Sequence, residues 1–218
     1  MKRLGLLLLP ILAITLMLGG NAFAQNVGDN SVYFVTYYSN ANTSGAPDGT
    51  LRIINDGDQA TTAPEGVENG TLWAAIYVFD DSQEMVDCCA CLITSNGLLS
   101  ESVNKELANG SIEFTARSET SRGVIKVISS ASSSPTTPAP LPGLRGWMTH
   151  IQATTNNLPT TKSGPGDSKG PWFVTETALS DSNLSATELA NLGTVCSYGY
   201  TIASGPGACP CTPEDYDF

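Results

Sequence analysis

Twenty-one acids against ten lysines and arginines give this 218-residue chain a net charge of −11, with the cations scattered along it. Nucleic acid is thereby excluded as a partner, because binding it needs grouped Lys and Arg to displace phosphate counterions. The length suits one domain with a core of its own.

Met1, Lys2 and Arg3 open the chain as a short basic stretch, followed by an apolar run from Leu4 to Leu18 and then by Ala22-Phe23-Ala24. That order predicts a secretory signal peptide over residues 1–24, cleaved to leave Gln25 as the mature N-terminus. About fifteen apolar residues fall short of the roughly twenty that span a bilayer. No later stretch is apolar enough, and no cysteine follows the cleavage pattern to carry a lipid, so no membrane span is expected after cleavage. Cleavage removes Lys2 and Arg3 and no acid, which moves the net charge from −11 to −13. The expected location is secreted, periplasmic or otherwise extracellular.

Beyond the signal, β-branched and aromatic residues alternate with polar ones in short runs bounded by Gly, Asn, Asp and Pro. This period of two predicts strands over residues 31–39, 49–55, 71–80, 84–94, 111–116, 123–129, 146–154 and 172–177. The fold class is all-β: an antiparallel β-sandwich of about eight strands, with one short C-terminal helix, forming a single domain over 25–218. Only Asp81, Ser82 and Gln83 separate two long runs, which predicts a hairpin lying mid-sheet.

Residues 129–143 (SSASSSPTTPAPLPG) are too polar and Pro-rich to build a core, and read as an extended, mobile loop or linker. Further on, Ser185 and Glu188 form a capping box, Leu184 and Leu189 occupy staple positions, and Gly193 offers a stop, which predicts a short helix.

Six cysteines in an exported chain read first as three disulfides. Cys88, Cys89 and Cys91 precede the Ser/Thr/Pro stretch; Cys196, Cys209 and Cys211 follow it. Each side holds an odd number, so full oxidation requires a bridge across the stretch. On an extended strand Cys88 faces one way and Cys89 and Cys91 the other. The expected pairing joins Cys88, taken as looking into the core, to Cys196, and joins Cys89 and Cys91 to Cys209 and Cys211. A thiolate metal or iron–sulfur site from C-C-x-C and C-P-C is the alternative, although export favours oxidation and no C-x-x-C spacing occurs.

Other chemistry is sparse. The oxygen-rich turn of Asn55, Asp56 and Asp58 could hold calcium, aided by Asp48, Asp80 or Asp81, but Asn-Asp-Gly is also good turn chemistry. His150, the only histidine, lies on a strand-like run and reads as a packing or surface residue. The Ser-Gly-Pro-Gly segments at 163–166 and 204–207 read as turns, since proline removes an amide that a phosphate loop would use. No catalytic residue and no cofactor other than that calcium is indicated, and no G-x-S-x-G or H-E-x-x-H occurs. Trp73, Tyr77, Trp147 and Trp172 could fill a core or line a sugar-binding face.

The Cys88-Cys89-x-Cys91 strand, the Leu184-Ser185-x-x-Glu188-Leu189 helix and the Gly205-x-Gly207-x-Cys209-x-Cys211 tail together resemble exported bacterial proteins of unassigned function. The resemblance implies extracytoplasmic placement and no particular chemistry. Three functions fit these observations. The first is a non-catalytic structural, surface or binding protein. The second is a subunit of an extracellular assembly joined by strand addition, with the segment 25–30 or an exposed edge as donor. The third is a secreted glycan hydrolase working through Asp or Glu pairs. The matching partners are a second copy of the chain, a cell surface or a polysaccharide.

Overall fold

A computed structural model describes residues 30–59, 61, 68–108, 120–153, 172–202 and 211. The expected signal peptide, the strand over 111–116, the two Ser-Gly-Pro-Gly turns and Cys209 lie outside these residues. The strands are β1 (Tyr33–Ser39), β2 (Thr50–Asn55), β3 (Leu72–Asp80), β4 (Met85–Ile93), β5 (Leu98–Ser102), β6 (Arg122–Ser130), β7 (Leu144–Ala153), β8 (Trp172–Ala178) and β9 (Ser180–Asp181), followed by helix α1 (Ala186–Ile202). They form two antiparallel sheets, one in the order β4-β3-β6-β1-β9 and the other β5-β2-β7-β8. The architecture is the expected sandwich with one C-terminal helix.

Alternation places Leu72, Ala74, Ile76 and Val78 of β3 on the inner face, beside Cys89, Cys91 and Ile93 of β4. Opposite them sit Leu51, Ile53, Leu99, Leu144 and Met148 from the second sheet. Burying each such Leu or Ile contributes on the order of 1.5–3 kcal/mol. The outer face of the first sheet is apolar too: Tyr33, Ala75, Tyr77, Cys88 and Ile128 lie under Leu192 and Cys196 of α1. Cys88 therefore faces the helix and not the inter-sheet core, which corrects the expected orientation. Because both faces of β3 and β4 are buried, alternation separates the faces without saying which is the interior.

The β3–β4 hairpin forms as expected, closed by Asp80, whose Oδ1 accepts from the Ser82 and Glu84 amides at 2.9 Å. Its place differs: β3 is central, but β4 ends its sheet. Two short strands, β5 and β9, and a π-helical turn over Val103–Leu107 are additions to the predicted set.

Helix α1 starts where predicted, with the Glu188 amide donating to Ser185 Oγ at 3.0 Å. The Glu188 carboxylate binds Lys126 Nζ at 2.6 Å and accepts from Tyr33 Oη at 2.9 Å, tying the helix to the sheet. Lys126 holds the Glu188 carboxyl below its usual range, more than burial raises it.

Gly193 does not stop the helix, which runs on to Ile202. A Cβ there would lie 2.3 Å from the Thr136 carbonyl oxygen, so this glycine lets the Ser/Thr/Pro segment approach α1 closely. That segment is pinned down. Tyr77 Oη donates to the Pro135 carbonyl at 2.7 Å, Ser130 Oγ accepts from the Ser132 and Ala139 amides, and Leu141 N bonds the Ser129 carbonyl. The expectation of a mobile stretch fails because serine hydroxyls satisfy the loop's own backbone. Gly193→Ala should destabilise the protein by about 1–3 kcal/mol, the cost of overpacking against backbone, measured by urea unfolding; a neutral effect would show that the contact yields freely.

Candidate functional site

A sandwich of two open sheets has four edge strands, each with a row of main-chain donors and acceptors that must be covered or guarded. Three are managed. Along β4, Cys88 is bonded to Cys196 and Cys91 to Cys211, so the helix and the C-terminal segment clasp that edge. Cys89 is also oxidised, its sulfur 3.8 Å from that of Cys91. β9 has two residues, and β5 has five, touches β4 and runs directly into the π-helical turn. Among the described residues, nothing pairs with the far side of β8.

The polarity of β8 follows from one hydrogen bond. Leu179 N donates to the Gly146 carbonyl at 2.9 Å, continuing the register that sets Thr177 opposite Met148 and Thr175 opposite His150. Hydrogen-bonding direction alternates along a strand. Phe173, Thr175 and Thr177 therefore bond inward to β7, while Trp172, Val174, Glu176 and Ala178 direct their N–H and C=O groups outward. Side chains are also bare: Phe173 is 56% and Val174 50% exposed, and consecutive residues point to opposite faces, so both sides of the strand are open.

Natural edges are usually guarded by charge, proline or a bulge. β8 has no proline and one charge, Glu176, which Arg52 engages at 2.8 Å from β2 across Thr149. The strand is anchored from behind by His150. That ring is buried, stacks on Tyr37 with centroids 4.1 Å apart, and its Nε2 meets Thr177 Oγ1 at 2.7 Å. Burial depresses its pKa, outweighing the Tyr37 backbone, so it is a neutral packing residue, as expected.

A second cluster is internal. Glu101 points from β5 into the sandwich with no exposed surface, and its Oε1 lies 3.9 Å from Cys91 Sγ. Burial first, then the charge and hydrogen bonding of Glu106, then Asp87, push its pKa up to about 8, so it holds a proton at neutral pH. Glu106 itself accepts from the Ser102 amide, and Asp48 binds Ser102 Oγ and the Asn104 amide, which secures the π-helical turn. Sequence patterning missed Glu101 because an inward acid looks like a break in a strand.

Asn55 donates to the Gly70 and Ile93 carbonyls and accepts from Gly57 N, Asp56 accepts from Asp58 N, and Arg145 lies 3.5 Å from the Asp56 carboxylate. These residues do turn work: the Asn55 Oδ1 and one Asp56 oxygen accept main-chain N–H groups, the other Asp56 oxygen faces Arg145, and Asp58 takes part through its main-chain amide. Asp81 pairs with Arg122, and Asp80 and Asp48 serve their own loops. Cys89, Cys91 and Cys211 bring three sulfurs together, but as disulfides they offer no thiolate.

An open groove of about 700 Å³ runs between α1 and residues 136–138, lined by Leu189, Ala190, Gly193, Tyr198, Thr136 and Pro138. No carboxylate, imidazole or thiol lines it. The carboxyl groups of Glu101 and Asp87 are sealed from any glycan, while Tyr77 is core and Trp147 is partly exposed on β7. No helix among the described residues is long and apolar enough to cross a membrane. No protein-family model, curated protein or solved structure matches this chain.

Proposed function

We propose that this chain works outside the cytoplasm as a non-catalytic binding and structural module that recruits an extended strand along β8. One observation carries this reading: of the four sheet edges among the described residues, β8 alone is long and open on both faces, has no proline, and has its one charge, Glu176, engaged by Arg52. Strand addition draws its affinity from main-chain hydrogen bonds and its selectivity from alternate side chains. Here Trp172, Val174, Glu176 and Ala178 supply the first, while Phe173 and Val174 flank the docking line with apolar surface. The buried disulfides and the N-terminal export pattern support the compartment, since such bridges persist where thiols are kept oxidised.

A fluorescently labelled heptapeptide alternating Thr and Val should bind the mature chain, read by anisotropy at low protein concentration. Val174→Pro should abolish that binding and leave the melting temperature unchanged, because it removes only an outward N–H, where edge strands tolerate proline. Binding that Val174→Pro leaves intact would refute the edge as the docking element.

A further inference from the structure

We infer that two copies of this chain join by antiparallel pairing of their β8 strands about a twofold axis at Thr175, which makes one continuous sheet of four strands from each copy. This rests on the edge reading above and names its partner.

The strand is complementary to itself. In the fully overlapped register Trp172 faces the partner's Ala178, Phe173 the partner's Thr177, Val174 the partner's Glu176, and Thr175 the partner's Thr175. Every outward-directed residue then meets another outward-directed residue, so donors and acceptors pair along the seam. A slip of one residue would set outward groups against inward ones. A slip of two in one direction would put Glu176 against the partner's Glu176, a like-charge pair. Slipping two the other way leaves Thr177 and Ala178 unpaired. In the overlapped register the only charge on β8 faces valine and is already neutralised by Arg52. The Thr175–Thr175 pair at the axis adds a little. One competing donor within this chain, residues 25–30 (QNVGDN), holds one β-branched residue among Asn, Gly and Asp and is a poor strand former.

Charge sets the conditions. Each mature copy would carry −13, so the two bodies repel at long range while the seam itself is neutral; salt screens the repulsion and should favour the dimer.

Sedimentation equilibrium of the mature, oxidised chain over a wide concentration range and two ionic strengths tests this. We expect a monomer–dimer equilibrium that shifts toward dimer in higher salt and is abolished by Val174→Pro. Val174→Glu, which sets two glutamates opposite each other at two symmetric places, should weaken it about tenfold. Val174→Lys should preserve or strengthen it, because lysine then faces the partner's Glu176. Leu98→Glu and Leu98→Lys, exposed on β5, make the same changes in net charge away from the seam and should have little effect. If Val174→Glu and Val174→Lys act alike, or match their Leu98 controls, the twofold register is wrong. A chain that stays monomeric throughout yet takes up the Thr/Val heptapeptide overturns the self-pairing and leaves strand docking standing; failure of both experiments removes both.

Discussion

Replacing Cys88 and Cys196 by alanine should lower the unfolding free energy by roughly 2–5 kcal/mol, the range seen when a long-loop disulfide is lost. The bridge spans 108 residues and is the covalent link between α1 and the outer face of the first sheet. Without it, Leu184, Leu189 and Leu192 and the Glu188 contacts to Lys126 and Tyr33 must hold the helix over Tyr33, Ala75, Tyr77 and Ile128. The unbridged chain should therefore lose the helix before the sandwich, seen in urea as a far-UV helical transition preceding loss of tryptophan fluorescence. A single transition with unchanged midpoint would show that packing suffices and the staple is incidental.

Stability should fall as pH rises from 6.5 to 8, by up to about 1.4 kcal/mol for each pH unit. Glu101 has a folded pKa near 8 against 4.5 for the ordinary carboxyl. Between those values the folded state keeps a proton that the unfolded chain has lost. Its stabilising share is thus complete below 4.5 and gone once pH passes 8. His150 acts in the opposite sense below 6.5, where the unfolded imidazole gains a proton that the buried ring resists, so the two trends partly cancel there. Above 6.5 Glu101 stands clear of it. Glu101→Gln, of the same shape and always neutral, should flatten the profile from 6.5 to 8 and leave the variant more stable than the natural chain at pH 9. An unchanged slope would mean that Glu101 is ionised inside the core or that its neighbours carry the effect.

Local features were legible where local chemistry decides them. The β3–β4 hairpin follows from two alternating runs and a short polar turn, and the start of α1 from Ser185 and its staple leucines. The two described bridges agree with strand parity, which separates Cys88 from Cys91 whichever face is inside. What sequence misplaced was set by distant contacts. Gly193 reads as a stop until Thr136 arrives beside it, and the Ser/Thr/Pro segment looks loose until Tyr77 reaches Pro135. β5 is obscured by Glu101, whose inward carboxyl contradicts the pattern it belongs to. β8 was recognisable as a strand; that it ends a sheet depends on its pairing with β7 and on what closes the other three edges.

Amide hydrogen exchange along β8, followed by NMR at increasing dilution, bears most directly on the open edge. At high concentration the Val174, Thr175, Glu176 and Thr177 amides should all be protected. On dilution Val174 and Glu176 should exchange freely, while Thr175 and Thr177 stay protected by β7. Protection of Val174 and Glu176 at every dilution would mean that β8 is already covered within one chain, and exposure of both at every concentration would mean that no second copy pairs there.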